Sequence, residues 1–172
     1  ISIKLKFVLS NESLARRENQ KAITELENRI RRHSEEQVIE EVAYTWFNRL
    51  CALQYMDVNG YNSIRVISPS DNQTRPEILS DANAGVFDNK IISENTQHRV
   101  TALLDGRSAS NDPDNEAYRL LLVSVCNYLH TSMPFMFERI ADYTELLLPD
   151  DMLSQTSILS NLKEAMIVDN CR

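Results

Sequence analysis

The side chains that most often carry chemistry in proteins, cysteine, histidine and closely paired carboxylates, are scattered through this 172-residue sequence. Its three cysteines and three histidines include no Cys-x-x-Cys pair and no closely spaced His pair, which metal and redox sites usually require. Gly60, Gly85 and Gly106 lie too far apart to form a phosphate-binding loop. Asp112-Pro113-Asp114 is typical of a helix start rather than of an acidic catalytic motif. Motif chemistry alone therefore indicates a helical scaffold or interaction domain without an active site.

The charge of the chain, −7 in total, is unevenly distributed. Residues 1–49 carry nine Lys and Arg against eight Asp and Glu, whereas residues 50–172 carry nine against 17. The excess of acidic residues in 50–172 repels phosphate, which argues against DNA binding over the whole surface. Widely separated cysteines fit a reducing cytoplasm, and no apolar run is long enough to cross a membrane.

The first helix predicted from apolar spacing runs near residues 10–33. Its other faces are charged, and Arg29, Arg31 and Arg32 form a basic edge close to its end. The ordinary interpretation is a solvated helix stabilised by i,i+4 ion pairs. The alternative is that these residues, together with Arg49, contact a phosphate backbone.

The second predicted helix, near residues 35–58, holds the single Trp and two of the six Tyr. The capping pattern Ser34-Glu35-Glu36-Gln37 favours a start here, and Asn59-Gly60 favours an end. A helical wheel places Ile39, Val42, Ala43, Trp46, Phe47, Leu50 and Leu53 on one broad face. Tyr44, Asn48, Cys51 and Tyr55 fall opposite. The second face is interpreted first as additional core, and alternatively as a surface at which Tyr44, Asn48 and Tyr55 contact another domain.

The rest of the sequence predicts shorter helices near residues 76–84, 94–105, 115–131, 135–147 and 157–168. Ser93, Asp112 and either Thr156 or Ser157 are candidate N-caps. Residues 63–68 are β-branched and alternating, so they could form one strand, half of a hairpin. The sequence thus predicts a mainly α fold: a single domain of about six or seven helices with at most one short β-hairpin.

Several segments resemble PglX-type adenine-specific DNA methyltransferases of BREX phage-defence systems and related restriction-modification enzymes. The longest is Ala43-Tyr44-Thr45-Trp46-Phe47-Asn48-Arg49-Leu50-Cys51-Ala52-Leu53, followed by Tyr55-Met56 and Gly60-Tyr61. Further similar segments are Asn127-Tyr128-Leu129-His130, Met133-Pro134-Phe135-Met136-Phe137, Asp142-Tyr143-Thr144-Glu145-Leu146-Leu147-Leu148-Pro149-Asp150 and Ser157-Ile158-Leu159. The resemblance covers residues 10–168, nearly the whole chain.

The resemblance implies a parent enzyme that transfers a methyl group from S-adenosylmethionine to N6 of adenine in duplex DNA. Such enzymes use a glycine-containing cofactor loop and an Asn-Pro-Pro-Tyr motif that holds a flipped base. This sequence contains neither motif, so it offers no catalytic, cofactor-binding or metal-binding residue. The first residue is Ile1 rather than Met, which also leads us to expect a piece of a longer chain.

The expected role of this chain is that of an N-terminal, non-catalytic helical domain. It would pack on the catalytic core of the same polypeptide and help to dock DNA or other defence-system proteins. Two alternatives remain open at the level of the sequence. One is a stand-alone helical adaptor for protein interactions, and the other is a weak DNA-binding module that uses the basic first helix.

Overall fold

A computed structural model describes residues 1–10, 13, 16–17, 19–71, 73–137 and 142–166. The mainly helical prediction is confirmed: eight helices are defined in these residues, which include no strand. None of these helices combines the length and the apolar character that crossing a bilayer requires. The helices are α1 (Ser2–Leu9), α2 (Gln20–Arg32), α3 (Glu35–Val58), α4 (Glu77–Asn83), α5 (Glu94–Leu104), α6 (Pro113–Leu129), α7 (Asp142–Leu146) and α8 (Ile158–Ala165).

Local capping determines where many of these helices begin and end. A side-chain oxygen of Ser34, Ser93, Asp112 and Ser157 accepts a hydrogen bond from the backbone N–H three residues further on, at 3.2–3.3 Å. Each bond satisfies one of the N–H groups that a first helical turn leaves without a partner. At the end of α3, Gly60 adopts a φ of +65°, a conformation that costs glycine little. These caps and this stop are as predicted.

The predicted helix near residues 10–33 is not continuous in the described residues. Helix α1 ends at Leu9, Ser10 and Ser13 are not helical, residues 16–17 are helical, and α2 covers Gln20–Arg32. Residues 11–12, 14–15 and 18 of the predicted helix lie outside the described residues. The hydroxyl of Ser10 donates to the carbonyl of Phe7, and the buried hydroxyl of Ser13 donates to that of Val8, both at 2.7 Å. These hydroxyl groups bind backbone carbonyls that would accept N–H groups if the helix continued. The helix α1 therefore ends here.

The predicted helix near residues 135–147 is also too long. The helix α7 covers only Asp142–Leu146, while Met133 to Phe137 form a turn in which Phe137 N–H donates to the Met133 carbonyl at 2.9 Å. Pro134 lies inside this turn and has no N–H to offer a helix. Residues 138–141 of the predicted helix lie outside the described residues.

The possible strand at residues 63–68 has no partner strand in the described part of the chain. The carboxylate of Asp57 accepts the backbone N–H groups of Val66, Ile67 and Ser68 instead. These are the groups that a neighbouring strand would have bound. An isolated antiparallel bridge in the described residues joins Pro69 and Pro76, outside the segment predicted as a strand.

The helical chain contains two compact units, and α3 passes from the first to the second after Asn48. The first unit combines Ile1–Asn48 with Arg139–Pro149. Its core contains the indole of Trp46, whose Nε1–H donates to the carbonyl of Thr144 at 3.0 Å. The buried side chains of the same unit also include Leu5, Val8, Ala22, Ile23, Leu26, Val38, Val42, Tyr143, Leu147 and Leu148.

The second unit combines Arg49–Glu138 with Asp150–Arg172 and is built around α6. Tyr118 on α6 is completely buried, and its hydroxyl donates to the Val66 carbonyl at 3.0 Å. The side chain of Asn115 accepts a hydrogen bond from Met152 N–H at 2.8 Å, which fixes the segment after Asp150. Apolar burial supplies most of the stability of such a core.

Candidate functional site

Arg29, the first of the arginines predicted to contact DNA, is held by a neighbouring helix. Its Nη2 lies 2.7 Å from Glu41 Oε1 and its Nε lies 3.3 Å from Glu41 Oε2, so the pair is bidentate. The hydrogen bond and the charge of Glu41 raise the pKa of Arg29. Because the Glu41 carboxylate already balances its charge, Arg29 is poorly suited to neutralise a phosphate.

Arg31 and Arg32 are exposed at the end of α2 and make no ion pair within the described residues. Arg31 Nε donates to the Glu27 carbonyl, at 3.4 Å. Arg32 lies with Lys21 beside a shallow depression of about 600 Å³ on α2. Of the four arginines predicted to contact DNA, Arg31 and Arg32 are thus exposed and without an ion pair in the part of the chain that the structure describes.

Arg49 does not belong to this exposed basic group. Its side chain is only 2% exposed and lies in the second unit, where its charge acts on the thiol of Cys126. Burial raises the pKa of that thiol to about 12, although the positive charge of Arg49 opposes the rise. The predicted DNA contact by Arg49 is therefore wrong for this structure, because a guanidinium inside the core cannot reach a phosphate.

Two of the three residues predicted to contact another domain are exposed. Tyr44 is 70% exposed and Tyr55 is 44% exposed, whereas Asn48 is half-buried. Tyr55 stacks edge-on against Tyr61, with the ring centroids 6.1 Å apart. The interpretation of this face as additional core is wrong for the two tyrosines, since neither ring is enclosed.

Phe47 was predicted on the core face of α3, and the structure corrects this. Its side chain is 51% exposed, while Val38, Val42 and Trp46 are buried. Up to Trp46 the buried residues recur at four-residue spacing, so the core takes a narrow stripe of this part of the helix rather than a broad face. Phe47 directly follows Trp46 and is rotated about 100° away from it.

Tyr44 and Phe47 share one side of the first unit with acidic and polar residues. Glu40, Tyr44 and Phe47 follow each other at four- and three-residue spacing, which aligns them along α3. Together they border a shallow groove of about 650 Å³ whose lining is mostly apolar. We call this groove the Tyr44 surface. Its residues are Gln37, Glu40, Glu41, Ala43, Tyr44 and Phe47.

Sequence reasoning missed Phe47 and Glu40 as parts of this surface. The signal that could have found Phe47 is the adjacent pair Trp46-Phe47, because successive residues of a helix point about 100° apart and a narrow stripe centred on one leaves the other at its edge. Among the described residues, no group of three or more Cys, His, Asp or Glu side chains could hold a metal ion. The Tyr44 surface combines a groove, apolar area and negative charge, which are properties of a binding surface.

No family model matches the sequence. The chain is 37% identical over 139 residues to the adenine-specific methyltransferase BrxX of Escherichia coli O9:H4 (strain HS), which covers 80% of this chain and 11% of that protein. It is 35% identical over 114 residues to the adenine-specific methyltransferase PglX of Lacticaseibacillus casei (strain Zhang), covering 64% of this chain and 9% of that protein. The resemblance inferred from the sequence is thereby confirmed, and the chain spans about a tenth of the length of these curated relatives. The chain is thus homologous, over most of its own length, to a segment of the adenine-specific methyltransferases BrxX and PglX.

Proposed function

We propose that this chain is the helical segment that precedes the catalytic core of an adenine-N6 DNA methyltransferase of BREX-type phage defence. The parent enzyme would use S-adenosylmethionine in the cytoplasm, and this segment would pack on its core and help to dock DNA or other defence proteins. The observation that carries the proposal is the 37% identity to BrxX across 80% of the chain. Identity of that extent reflects common descent of the segment.

The missing sequence motifs and the structural role of the buried Asp57 carboxylate support a non-catalytic role. Adenine methylation requires a cofactor loop and an Asn-Pro-Pro-aromatic motif to hold the flipped base, and neither occurs here. The buried carboxylate of Asp57 is fully engaged with neighbouring N–H groups, so it serves the fold. The exposed aromatic rings of Tyr44 and Phe47 favour contact with other protein surfaces.

Two measurements test this proposal. Isothermal titration of the 172-residue chain with S-adenosylmethionine should give no heat of binding, because the cofactor loop would lie elsewhere in the parent. The full-length parent should methylate adenine in duplex DNA and lose that activity when its catalytic motif is altered. Micromolar binding of the cofactor to the chain, or a parent that binds no cofactor, would contradict the proposal.

A second candidate function is DNA docking through α2, favoured by the exposure of Arg31 and Arg32. Each phosphate contact should contribute about one unit to the salt slope of the binding constant. The chain and a double variant, Arg31→Gln with Arg32→Gln, would be titrated with duplex DNA at two salt concentrations. Binding by the chain at low salt that the double variant loses would support DNA docking, whereas no binding at low salt would remove it.

A further inference from the structure

We infer that the Tyr44 surface is the docking site for a positively charged amphipathic segment of the remaining methyltransferase polypeptide. The inference rests on the proposed function, since it takes that polypeptide as the source of the segment. It adds to the proposed function the place of the contact and the chemistry of the partner. Three properties of the surface support the inference: exposed aromatic rings, an acidic border and a helix that is anchored on its other side.

The apolar part of the surface consists of two rings on successive turns of one helix. Tyr44 is 70% exposed and Phe47 is 51% exposed, and the small side chain of Ala43 leaves a groove beside them. A groove of this kind accepts the apolar face of a helix, which inserts side chains at three- and four-residue spacing. Aromatic side chains also dominate the binding energy of protein interfaces once water is excluded.

The charge of the border selects a cationic partner. Glu40 lies beside Tyr44, is exposed, and makes no ion pair within the described residues. Glu35 and Glu36 in the preceding turn are exposed as well, whereas Glu41 is bound to Arg29. Lys or Arg at the flank of an incoming segment would meet this negative potential favourably, while the phosphates of DNA would be repelled. The charge therefore favours a protein segment over nucleic acid.

The helix that carries the two rings is anchored on its other side. The opposite side of the same helix is anchored by Trp46, whose N–H donates to the carbonyl of Thr144. Buried Val38 and Val42 fix the preceding turns. A preorganised helix face loses little conformational entropy when a partner docks.

The source of the segment follows from the comparison with the relatives. This chain spans about a tenth of their length, so a parent of similar size supplies a large amount of further polypeptide. A contact within one polypeptide benefits from a high effective concentration, which makes a surface as small as this one sufficient.

Hydroxyl-radical footprinting with mass spectrometry tests the inference on the full-length parent and on the 172-residue chain. In the parent alone, without DNA or other proteins, Tyr44 and Phe47 should be oxidised about fivefold more slowly than in the chain, because docking excludes water. Completely buried Tyr118 sets the lower limit of oxidation in both samples, and an added radical dosimeter sets the dose. Equal oxidation rates in the parent and the chain would overturn the inference. Protection that appears only after DNA or a second protein is added would overturn it too, because the occupant would then be different.

Charge variants of the parent test the chemistry of the partner. Glu40→Lys should raise the oxidation rate of Tyr44 toward its rate in the chain, and Glu40→Gln should raise it less. Phe47→Gln should release the segment without changing the charge. Glu164→Lys reverses an exposed glutamate on α8 and should leave Tyr44 protected. Protection of Tyr44 that survives Glu40→Lys would overturn the assignment of a cationic partner.

The same preparations separate this inference from the proposed function. Adenine methylation by the parent is measured alongside the footprint. A parent that methylates DNA while Tyr44 and Phe47 stay fully accessible overturns the docking inference and leaves the proposed function standing. A parent without methylation activity and without cofactor binding overturns the proposed function itself.

Discussion

Replacement of Asp57, whose buried carboxylate lies near the end of α3, should destabilise the second unit. Asp57 is 5% exposed. Its Oδ1 accepts from Asn62 Nδ2 at 2.8 Å and from Val66 N–H at 3.0 Å. Its Oδ2 accepts from Ile67 N–H at 2.7 Å and from Ser68 N–H at 2.9 Å. One side chain therefore binds three successive backbone N–H groups of the loop after α3.

Asp57→Asn keeps the shape of this side chain and replaces one acceptor oxygen with an NH₂ group. Placed at the Oδ1 position, the NH₂ leaves the buried N–H of Val66 without an acceptor, at about 1–3 kcal/mol. The bonds from Ile67 and Ser68 would then reach a neutral oxygen, which weakens each by about 1 kcal/mol. Burial raises the pKa of Asp57 and the hydrogen bonds lower it, so Asn recovers part of the cost of burying a charge. The net loss expected is about 2 kcal/mol of unfolding free energy.

Urea unfolding followed by far-UV circular dichroism measures this loss. With a slope of about 1–3 kcal/mol per molar urea, the midpoint should fall by roughly 1 M. Asp71→Asn is the matched control, because Asp71 carries the same charge in the following loop and its side chain is 95% exposed. It should change the unfolding free energy by less than about 0.5 kcal/mol. A change that small for Asp57→Asn, or an equal loss in the control, would refute the reasoning.

Three further predictions concern the buried polar groups and the surface ion pair. The Cys126 thiol, with a pKa of about 12, should resist iodoacetamide at pH 8 in the folded chain and react after unfolding, as peptide mapping by mass spectrometry would show. Burial also raises the pKa of Tyr118, so both groups stay neutral in the fold while they ionise in the unfolded chain. The free energy of unfolding should therefore be highest below about pH 9 and decrease as the pH rises from 9 to 12. An unfolding free energy that does not change with pH in urea titrations over this range would contradict the prediction. Arg29 and Glu41 are exposed enough that a double-mutant cycle with alanine should give a coupling of about 0.5 kcal/mol, and a value above about 2 kcal/mol would contradict it.

The parts of the fold that could be predicted from the sequence are those determined by neighbouring residues. Caps at Ser93, Asp112 and Ser157 depend on a side chain and an N–H three residues apart, so a sequence window contains all the information. The stop at Gly60 depends on the conformational freedom of a single residue. The helical class likewise follows from the period of the apolar residues.

The parts that could not be predicted depend on contacts between residues distant in sequence, or on exceptions to the usual exposure of charged side chains. Nothing near Asp57 indicates that its carboxylate will replace the partner strand of residues 66–68. Arginine is almost always exposed, so the burial of Arg49 beside Cys126 runs against the general rule. Exposed Arg31 and Arg32 follow the rule, but the sequence does not show that Glu41 binds Arg29 between helices.

The division of α3 into a buried stripe and an exposed aromatic row has a consequence for what the helix can do. Trp46 is 2% exposed and fixes the helix, so its burial contributes to stability. Phe47, at 51% exposure, leaves half of its apolar area in water, and so contributes much less to the stability of the chain than to a contact that covers it. A helix held firmly on one side presents Tyr44 and Phe47 at a fixed spacing on the other. The stability of the first unit thereby lowers the entropic cost of docking, because the helix backbone that carries the rings is already ordered when a partner arrives.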